Sequence, residues 1–210
     1  MKVLLVNGSP HEKGCTHEAL NEVKNALEQE GIHADFFWIG DQPIAGCCGC
    51  GGCAKAGKCR YDDRVNAFLE IAGSYDGFVF GAPVHFASAA ASMTAFLDRA
   101  FFTDHCAGRN LFAFKPAAAL VSARRAGTTA ALDQLNKYML YAQMPMVSSR
   151  YWNMVHGQNP RQVREDEEGM QIMRVLGKNL AWMVKTIEAG RAAGIQPPEQ
   201  EERINTNFIR

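Results

Sequence analysis

Five of the seven cysteines in this 210-residue chain crowd between Cys47 and Cys59, and four of them follow the spacing Cys47-x2-Cys50-x2-Cys53-x5-Cys59. Thiolates that near one another repel, and the iron of a cubane cluster wrapped by one loop would neutralise them. A tetrahedral zinc site is a second reading, although two short pairs separated by a longer span are its usual form. A loop kept as a fold element with its thiols free is the third. Disulfides fit worst, because the cysteine count is odd and bridges normally staple distant loops. Cys48 has no place in the spacing, and Cys106 stands alone as a packed residue would.

The second set of residues able to do chemistry follows the first apolar run. Val3 to Val6 is long enough for a strand buried on both faces and too short for a helix. Asn7 to Thr16 has the punctuation of a loop, and His17 to Gln29 has a helical period. That order brings free backbone N–H groups and the positive end of a helix dipole to one point, which suits an anion. A nucleotide-hydrolase loop needs a Lys before its Ser or Thr, but Cys15 precedes Thr16 and Lys13 precedes Gly14; a dinucleotide fingerprint needs three glycines, and only Gly8 and Gly14 are present. What remains is Ser9 and Thr16 with their hydroxyls and His11 as a candidate cation. This suits a phosphate monoester such as the tail of FMN. An ordinary strand–helix turn capped by Thr16 is the plainer alternative.

Two later loops complement the first. Gly81-Ala-Pro-Val-His-Phe-Ala-Ser-Ala90 combines a stiff Pro83 with an imidazole, an aromatic ring and small residues, and a flat ring could lie there. Ser122-Ala-Arg-Arg-Ala-Gly-Thr128 brings two guanidinium groups and a glycine to a helix start, where positive charge would stabilise an anionic reduced flavin. FMN has the three matching parts: a phosphate, a planar ring and a polar, negatively charged edge. The plainer alternatives are that His85 and Phe86 are core and that Arg124 and Arg125 are a solvated face.

The elements that must position these loops alternate. Apolar runs at Val3 to Val6, Ala34 to Ile39, Gly77 to Phe80, Ala117 to Val121 and Met146 to Tyr151 read as strands. Helical patterns fall at Thr16 to Gln29, Arg64 to Ala72, Ser88 to Arg99, Thr128 to Tyr141 and Glu167 to Ala189. This implies an α/β fold with a parallel sheet between helices, whose ligands bind beyond the carboxyl ends of the strands. Residues 1–190 are expected to form one domain and residues 191–210 an extended arm. The apolar fraction of 47% fits a full core, and 22 basic against 22 acidic residues leave no field to draw nucleic acid or a membrane surface. Neither an export signal nor a membrane-length run is visible, so a cytoplasmic protein is expected.

With these residues in hand, the chain resembles the NADPH-dependent FMN reductase and iron-sulfur flavoprotein group of the flavodoxin-like superfamily. The resemblance rests on Gly8-Ser-Pro-His-Glu-Lys-Gly-Cys-Thr16 and on Gly81-Ala-Pro-Val-His-Phe-Ala-Ser88. It extends to Phe96-Leu-Asp-Arg99, Arg125-Ala-Gly127, and Asp166-Glu-Glu-Gly169 leading into Leu176-Gly177. It implies a flavodoxin-like three-layer sandwich with a five-stranded parallel sheet in the order 2-1-3-4-5, bound FMN, and a homodimer or homotetramer with the flavin near the subunit interface. Ser9, His11, Gly14, Cys15 and Thr16 would hold the phosphate; Pro83, Val84, His85, Phe86 and Ala87 would line the ring; and Ser122, Arg124, Arg125, Ala126 and Gly127 would contact its pyrimidine edge. The Cys47, Cys50, Cys53 and Cys59 spacing resembles the iron-sulfur flavoprotein motif directly. His11, Cys15 and His85 depart from the family's common Arg, Asn and Tyr.

Neither a Ser/His/Asp arrangement nor a carboxylate pair is discernible, and a flavoenzyme requires neither, because the cofactor supplies the reaction. The expected activity is an NAD(P)H-dependent oxidoreductase that passes electrons through FMN to a small acceptor such as a quinone or a free flavin. An electron carrier with an iron-sulfur cluster at the four cysteines is the rival, and a thiol redox sensor ranks below both. Phe101, Phe102, Phe112, Phe114, Tyr151 and Trp152 are candidates for a subunit interface or for the core, and Asn207-Phe-Ile-Arg210 for an arm crossing to a neighbour.

Overall fold

The computed structural model describes residues 1–202, 204–206 and 208. The first strand, β1 (Lys2–Asn7), runs into helix α1 (Cys15–Gln29), and β2 (His33–Trp38) returns beside β1 in parallel. A cysteine-bearing stretch with the short α2 (Cys53–Ala56) leads to α3 (Arg64–Ala72) and then to the long strand β3 (Gly77–His85). A tight turn sends the two-residue β4 (Ser88–Ala89) back along β3 before α4 (Ala91–Cys106) begins. The chain continues through β5 (Ala117–Ala123), α5 (Thr128–Tyr141), β6 (Met154–His156), α6 (Pro160–Glu165) and α7 (Glu167–Ala192).

The parallel strands lie in the order β2-β1-β3-β5-β6. This is the expected five-strand path, but the antiparallel β4 makes a sixth strand and shifts the numbering from 2-1-3-4-5 to 2-1-3-5-6. Alternate residues of each central strand enter different halves of the core, as period-2 geometry requires. Val3, Leu5, Val79 and Leu120 face α1 and α7, while Leu4, Val6, Phe80 and Val121 face α3, α4 and α5. In the second half Phe68 of α3 stacks on Phe112 at 5.9 Å and meets Phe78 edge-on at 6.2 Å. Each such ring, wholly withdrawn from water, contributes about 1.5–3 kcal/mol. Gly177 lets α7 cross α1 closely, since a Cβ there would lie 2.7 Å from that of Ala26 and 2.8 Å from the Val23 carbonyl oxygen.

Two expected boundaries move for local reasons. The helix expected from Ser88 begins at Ala91, because Ser88 and Ala89 pair with His85 and Val84. The last strand is not Met146 to Tyr151: Met146 makes only an isolated bridge to Ala117, and the chain leaves the sheet before returning at Met154. Polar side chains hold that excursion. The Ser149 hydroxyl donates to the Asn153 side chain at 2.8 Å, and the Asn153 amide donates to the Ala119 carbonyl at 2.9 Å. Among the described residues no helix is long and apolar enough to cross a membrane. Of residues 191–210, expected as an arm, Arg203, Asn207, Ile209 and Arg210 lie outside the described residues.

Candidate functional site

The three loops singled out by sequence open at the same rim, and direct contacts tie them together. Gly8 N–H donates to the Gly81 carbonyl at 2.8 Å, joining the first loop to β3. The buried Thr16 and Ser122 hydroxyls meet at 2.8 Å, joining the start of α1 to the end of β5. Gly127 (φ +94°) stands so close to the β3–β4 turn that a Cβ there would lie 2.5 Å from Ala87 Cα and 3.1 Å from Val84 Cγ1.

The first loop is shaped from within. The Asn7 side chain accepts from Ser9 N–H at 3.1 Å and donates to the Glu12 carbonyl at 2.9 Å, and Ser9 Oγ accepts from His11 N–H at 3.1 Å. Trp38 at the end of β2 donates its indole N–H to the Ser9 carbonyl at 2.8 Å. His11 remains exposed. Cys15 opens α1, its thiol reaching the Gly157 carbonyl at 3.6 Å, and burial pushes its pKa up, favouring the neutral thiol. The Thr16 and Ser122 hydroxyls are engaged with each other.

Helix capping distinguishes α1, α4 and α5 from α3, α6 and α7. Helices α3 and α7 begin with side-chain caps, Asp63 accepting from Val65 N–H and Asp166 from Gly169 N–H. Helices α1, α4 and α5 begin at Gly14, Ala90 and Gly127 with no side-chain cap. The first turn of a helix has N–H groups without intrahelical partners, and a bare start leaves them to an incoming anion. Apart from the four-residue α2, which also starts without a side-chain cap at Gly52, the bare helices are those that follow the three loops. This donor-rich cradle fits a phosphorylated, negatively charged ligand, and so fits FMN.

The segment expected to line the ring is a turn with an exposed tip. Phe86 and Ala87 both have positive φ (50° and 58°), and Phe86 is fully exposed. His85 is exposed, whereas Pro83 and Val84 are half-buried beneath the turn. Gln134 of α5 braces it by accepting from the Ser88 hydroxyl at 2.7 Å and from Ala89 N–H at 3.1 Å. Arg124, Arg125 and Ala126 are exposed on the neighbouring loop.

The cysteines form a second constellation. Cys47, Cys48, Cys50, Cys53 and Cys59 line one small cavity of about 20 Å³ together with Tyr61 and Arg99. Arg99 of α4 is 1% exposed. Its guanidinium grips the Asp63 carboxylate at 2.6 and 3.0 Å, donates to the Tyr61 carbonyl at 3.0 Å and donates through Nε to Cys59 Sγ at 3.2 Å. Asn66 holds the same segment, accepting from Cys59 N–H at 2.9 Å and donating to the Cys59 carbonyl at 3.0 Å. Cys59 is thereby fixed to the scaffold, while Cys47, Cys48 and Cys50 are exposed. Cys48, outside the four-cysteine spacing, lines the same cavity; a hydrogen bond from the Tyr61 hydroxyl pulls its thiol down, and the same bond pushes Tyr61 up. Cys106 is not isolated: burial pushes its thiol up, and a hydrogen bond with Cys53 adds to the shift. All seven cysteines are free thiols, and among the described residues no three His, Cys, Asp or Glu side chains stand in metal-binding geometry.

Of the aromatic residues weighed for an interface, Phe101 and Phe112 are core. Phe102, Tyr151 and Trp152 are exposed, the last two packed edge-to-face at 4.4 Å. Asn7, Trp38, Gln134 and Gly157 were missed as site residues. Asn7 had a signal, an Asx residue directly before Gly-Ser; the other three reach the rim only through the fold.

Comparison with known proteins agrees with this fold. The chain is 29% identical over 199 residues to an iron-sulfur flavoprotein of Methanocaldococcus jannaschii, covering 90% of this chain and all of that one. Its fold superposes on RosB with bound 8-demethyl-8-formylriboflavin-5′-phosphate at a TM-score of 0.70 and 15% identity, covering 100% and 93% of the two chains. It superposes on FerB, an NAD(P)H:(acceptor) oxidoreductase flavoenzyme from Paracoccus denitrificans, at 0.63 and 14%, covering 88% and 97%. With residues 1–159 matching its profile, the chain belongs to the family described as NADPH-dependent FMN reductase.

Proposed function

We propose that this protein is an FMN-dependent NAD(P)H oxidoreductase that delivers electrons to a small acceptor. The observation carrying this reading is the convergence of three uncapped helix starts at one rim, locked together by the Gly8–Gly81, Thr16–Ser122 and Gly127–Ala87 contacts. The phosphate would be held by the first-turn N–H groups of α1 at Cys15 and Thr16, with Ser9, His11 and Gly14 shaping the loop. Pro83, Val84, His85, Phe86 and Ala87 would lie along the ring. Ser122, Arg124, Arg125, Ala126 and Gly127 would meet its polar edge, the two guanidinium groups supplying positive charge. FMN, when bound, would supply the redox chemistry between a reduced nicotinamide and the acceptor.

The test is binding followed by reduction. FMN should bind at least tenfold more tightly than riboflavin, which lacks the phosphate, and anaerobic mixing with NADPH or NADH should bleach the flavin. Equal affinities remove the phosphate site, and no bleaching by either nucleotide removes the reductase assignment.

A second reading follows from the thiol-lined cavity. Cys47, Cys50, Cys53 and Cys59 line one small cavity with the Arg99 cation beside them, a soft donor set whose chemistry suits an iron-sulfur cluster, although among the described residues no three of them stand in metal-binding geometry. The cluster would pass single electrons between FMN and a partner, and closing on it would draw the exposed thiols toward the fixed Cys59. Anaerobic reconstitution followed by iron and sulfide analysis decides this; colourless, iron-free protein rejects it. Seven free thiols fit a reducing compartment such as the cytoplasm. Assembly as a homodimer or homotetramer belongs to the same proposal, and sedimentation tests it.

A further inference from the structure

Of the four cysteines in the spacing, Cys59 has its sulfur on a buried guanidinium. Arg99 is 1% exposed, and each of its five N–H groups has a partner. Nη1 donates to the Asp63 carboxylate at 2.6 Å and to the Ala45 carbonyl at 3.4 Å, and Nη2 donates to the same carboxylate and to the Tyr61 carbonyl, both at 3.0 Å. Nε carries one hydrogen, and that hydrogen goes to Cys59 Sγ at 3.2 Å. Asn66 fixes the acceptor from the backbone side by bonding both the N–H and the carbonyl of Cys59. A neutral thiol is a weak acceptor, so a bond from a buried cation to it stabilises little. The same N–H is worth far more when the sulfur carries negative charge.

We infer that Arg99 sets the reduction potential of a cluster held at Cys47, Cys50, Cys53 and Cys59, through its Nε–H on Cys59 Sγ. The inference rests on the iron-sulfur reading above and names the residue that makes such a cluster easier to reduce. One-electron reduction adds negative charge that reaches the cysteine sulfurs, so a hydrogen bond that strengthens with that charge favours the reduced form. Asp63 works the other way, because its carboxylate offsets the guanidinium charge at close range. Arg60, the guanidinium beside Cys48 and Cys50, is exposed, and water and salt screen it.

Two variants should therefore move the potential in opposite directions. Arg99→Lys keeps the charge but has three N–H groups on one nitrogen, which the carboxylate, as the strongest acceptor, draws away from Sγ. Asp63→Asn keeps an oxygen to cap α3 and leaves Nε–H on Sγ beside an uncompensated cation. The full-length chains are reconstituted anaerobically with iron and sulfide, and a mediated dithionite titration is read by the cluster's EPR signal. The reduction equilibrium should fall about tenfold in Arg99→Lys and rise about tenfold in Asp63→Asn, a shift of about 59 mV each way for one electron. Arg60→Gln should shift it by less than about threefold. Both Arg99→Lys and Asp63→Asn loosen the same clamp, so a purely structural role moves them the same way or not at all. If only one of them takes up the cluster, the sign of its shift decides. Unchanged potentials, shifts of one sign, or an Arg60→Gln effect as large as that of Arg99→Lys overturn the proposal. Parent protein that takes up no iron or sulfide overturns the cluster reading and this proposal with it, whereas a cluster-bearing parent with unmoved variants overturns this proposal alone.

Discussion

Gly127 and Ala87 sit so close that a methyl group on the glycine would lie 2.5 Å from the alanine Cα. That contact holds the β3–β4 turn against the start of α5. Gly127→Ala should therefore displace the turn as well as strain a left-handed backbone (φ +94°) at a cost of about 1–2 kcal/mol. The expected result is an FMN dissociation constant raised tenfold or more with a cooperative fold retained. Unchanged affinity in a fluorescence titration refutes the turn's part in binding.

The Thr16–Ser122 pair lends itself to a mutant cycle. Both hydroxyls are buried and each satisfies the other, so removing one leaves its partner unsatisfied at about 1–3 kcal/mol. Thr16→Val and Ser122→Ala should each destabilise by that amount in urea, while the double variant loses less than the sum. Additive losses mean that the two residues do not act through each other.

Arg99 fastens the cysteine stretch to α4. Its charge is withdrawn from water and matched by Asp63, which also caps α3. Truncation to Met leaves Asp63 uncompensated in a partly buried position and strips the donors from Cys59 and the Tyr61 carbonyl, at about 3–5 kcal/mol. Lys has no planar fork and should rescue only part of this. Denaturant midpoints, together with faster maleimide labelling of Cys59 in the variant, check the prediction; a parent-like labelling rate contradicts the clamp.

Asp104 links stability to pH. Burial raises its carboxyl above the ordinary value of 3.8, outweighing the bond it accepts from Leu111 N–H. The folded state thus holds this proton more tightly than the unfolded chain does, so stability falls as pH rises from 3.8 through the folded value, and the penalty is constant above it. Asp104→Asn removes the titration and keeps the acceptor for Leu111. The difference in stability between variant and parent should grow in the variant's favour across that window and then level off. A difference that is flat with pH rules out the linkage.

How far the sequence could be read depended on the range of the forces involved. The runs at Val3 to Val6 and Ala117 to Val121 announced buried strands because apolar burial leaves a local pattern. The rim position of the three loops followed from strand order alone. Met146 to Tyr151 misled because its apolar residues look like a strand, while Ser149 and Asn153, four residues apart, redirect the backbone through bonds that composition does not display. The bracing of the β3–β4 turn by Gln134 and the Arg99 clamp on Cys59 join residues 40 or more positions apart. No pattern within a window of sequence records such a pairing. The uncapped starts of α1 and α5 were half legible, since Gly14 and Gly127 stand where a capping side chain would otherwise be expected.

The turn at Phe86 and Ala87 keeps two side-chain-bearing residues at positive φ, in a place where Asn-Gly would sit without strain. Holding residues there costs of order 1–3 kcal/mol each, and Phe86 gains no compensating burial within the chain, since its ring is fully exposed. Strain of this kind persists when the side chain serves something the free chain does not contain. If Phe86 stacks on the isoalloxazine, Phe86→Asn with Ala87→Gly should stabilise the flavin-free protein by about 1 kcal/mol or more and at the same time weaken FMN binding tenfold or more. The two measurements must move in opposite directions, one by thermal unfolding of the apoprotein and the other by flavin titration. A variant that gains stability and binds FMN as tightly as the parent shows that the strained turn has no part in holding the ring.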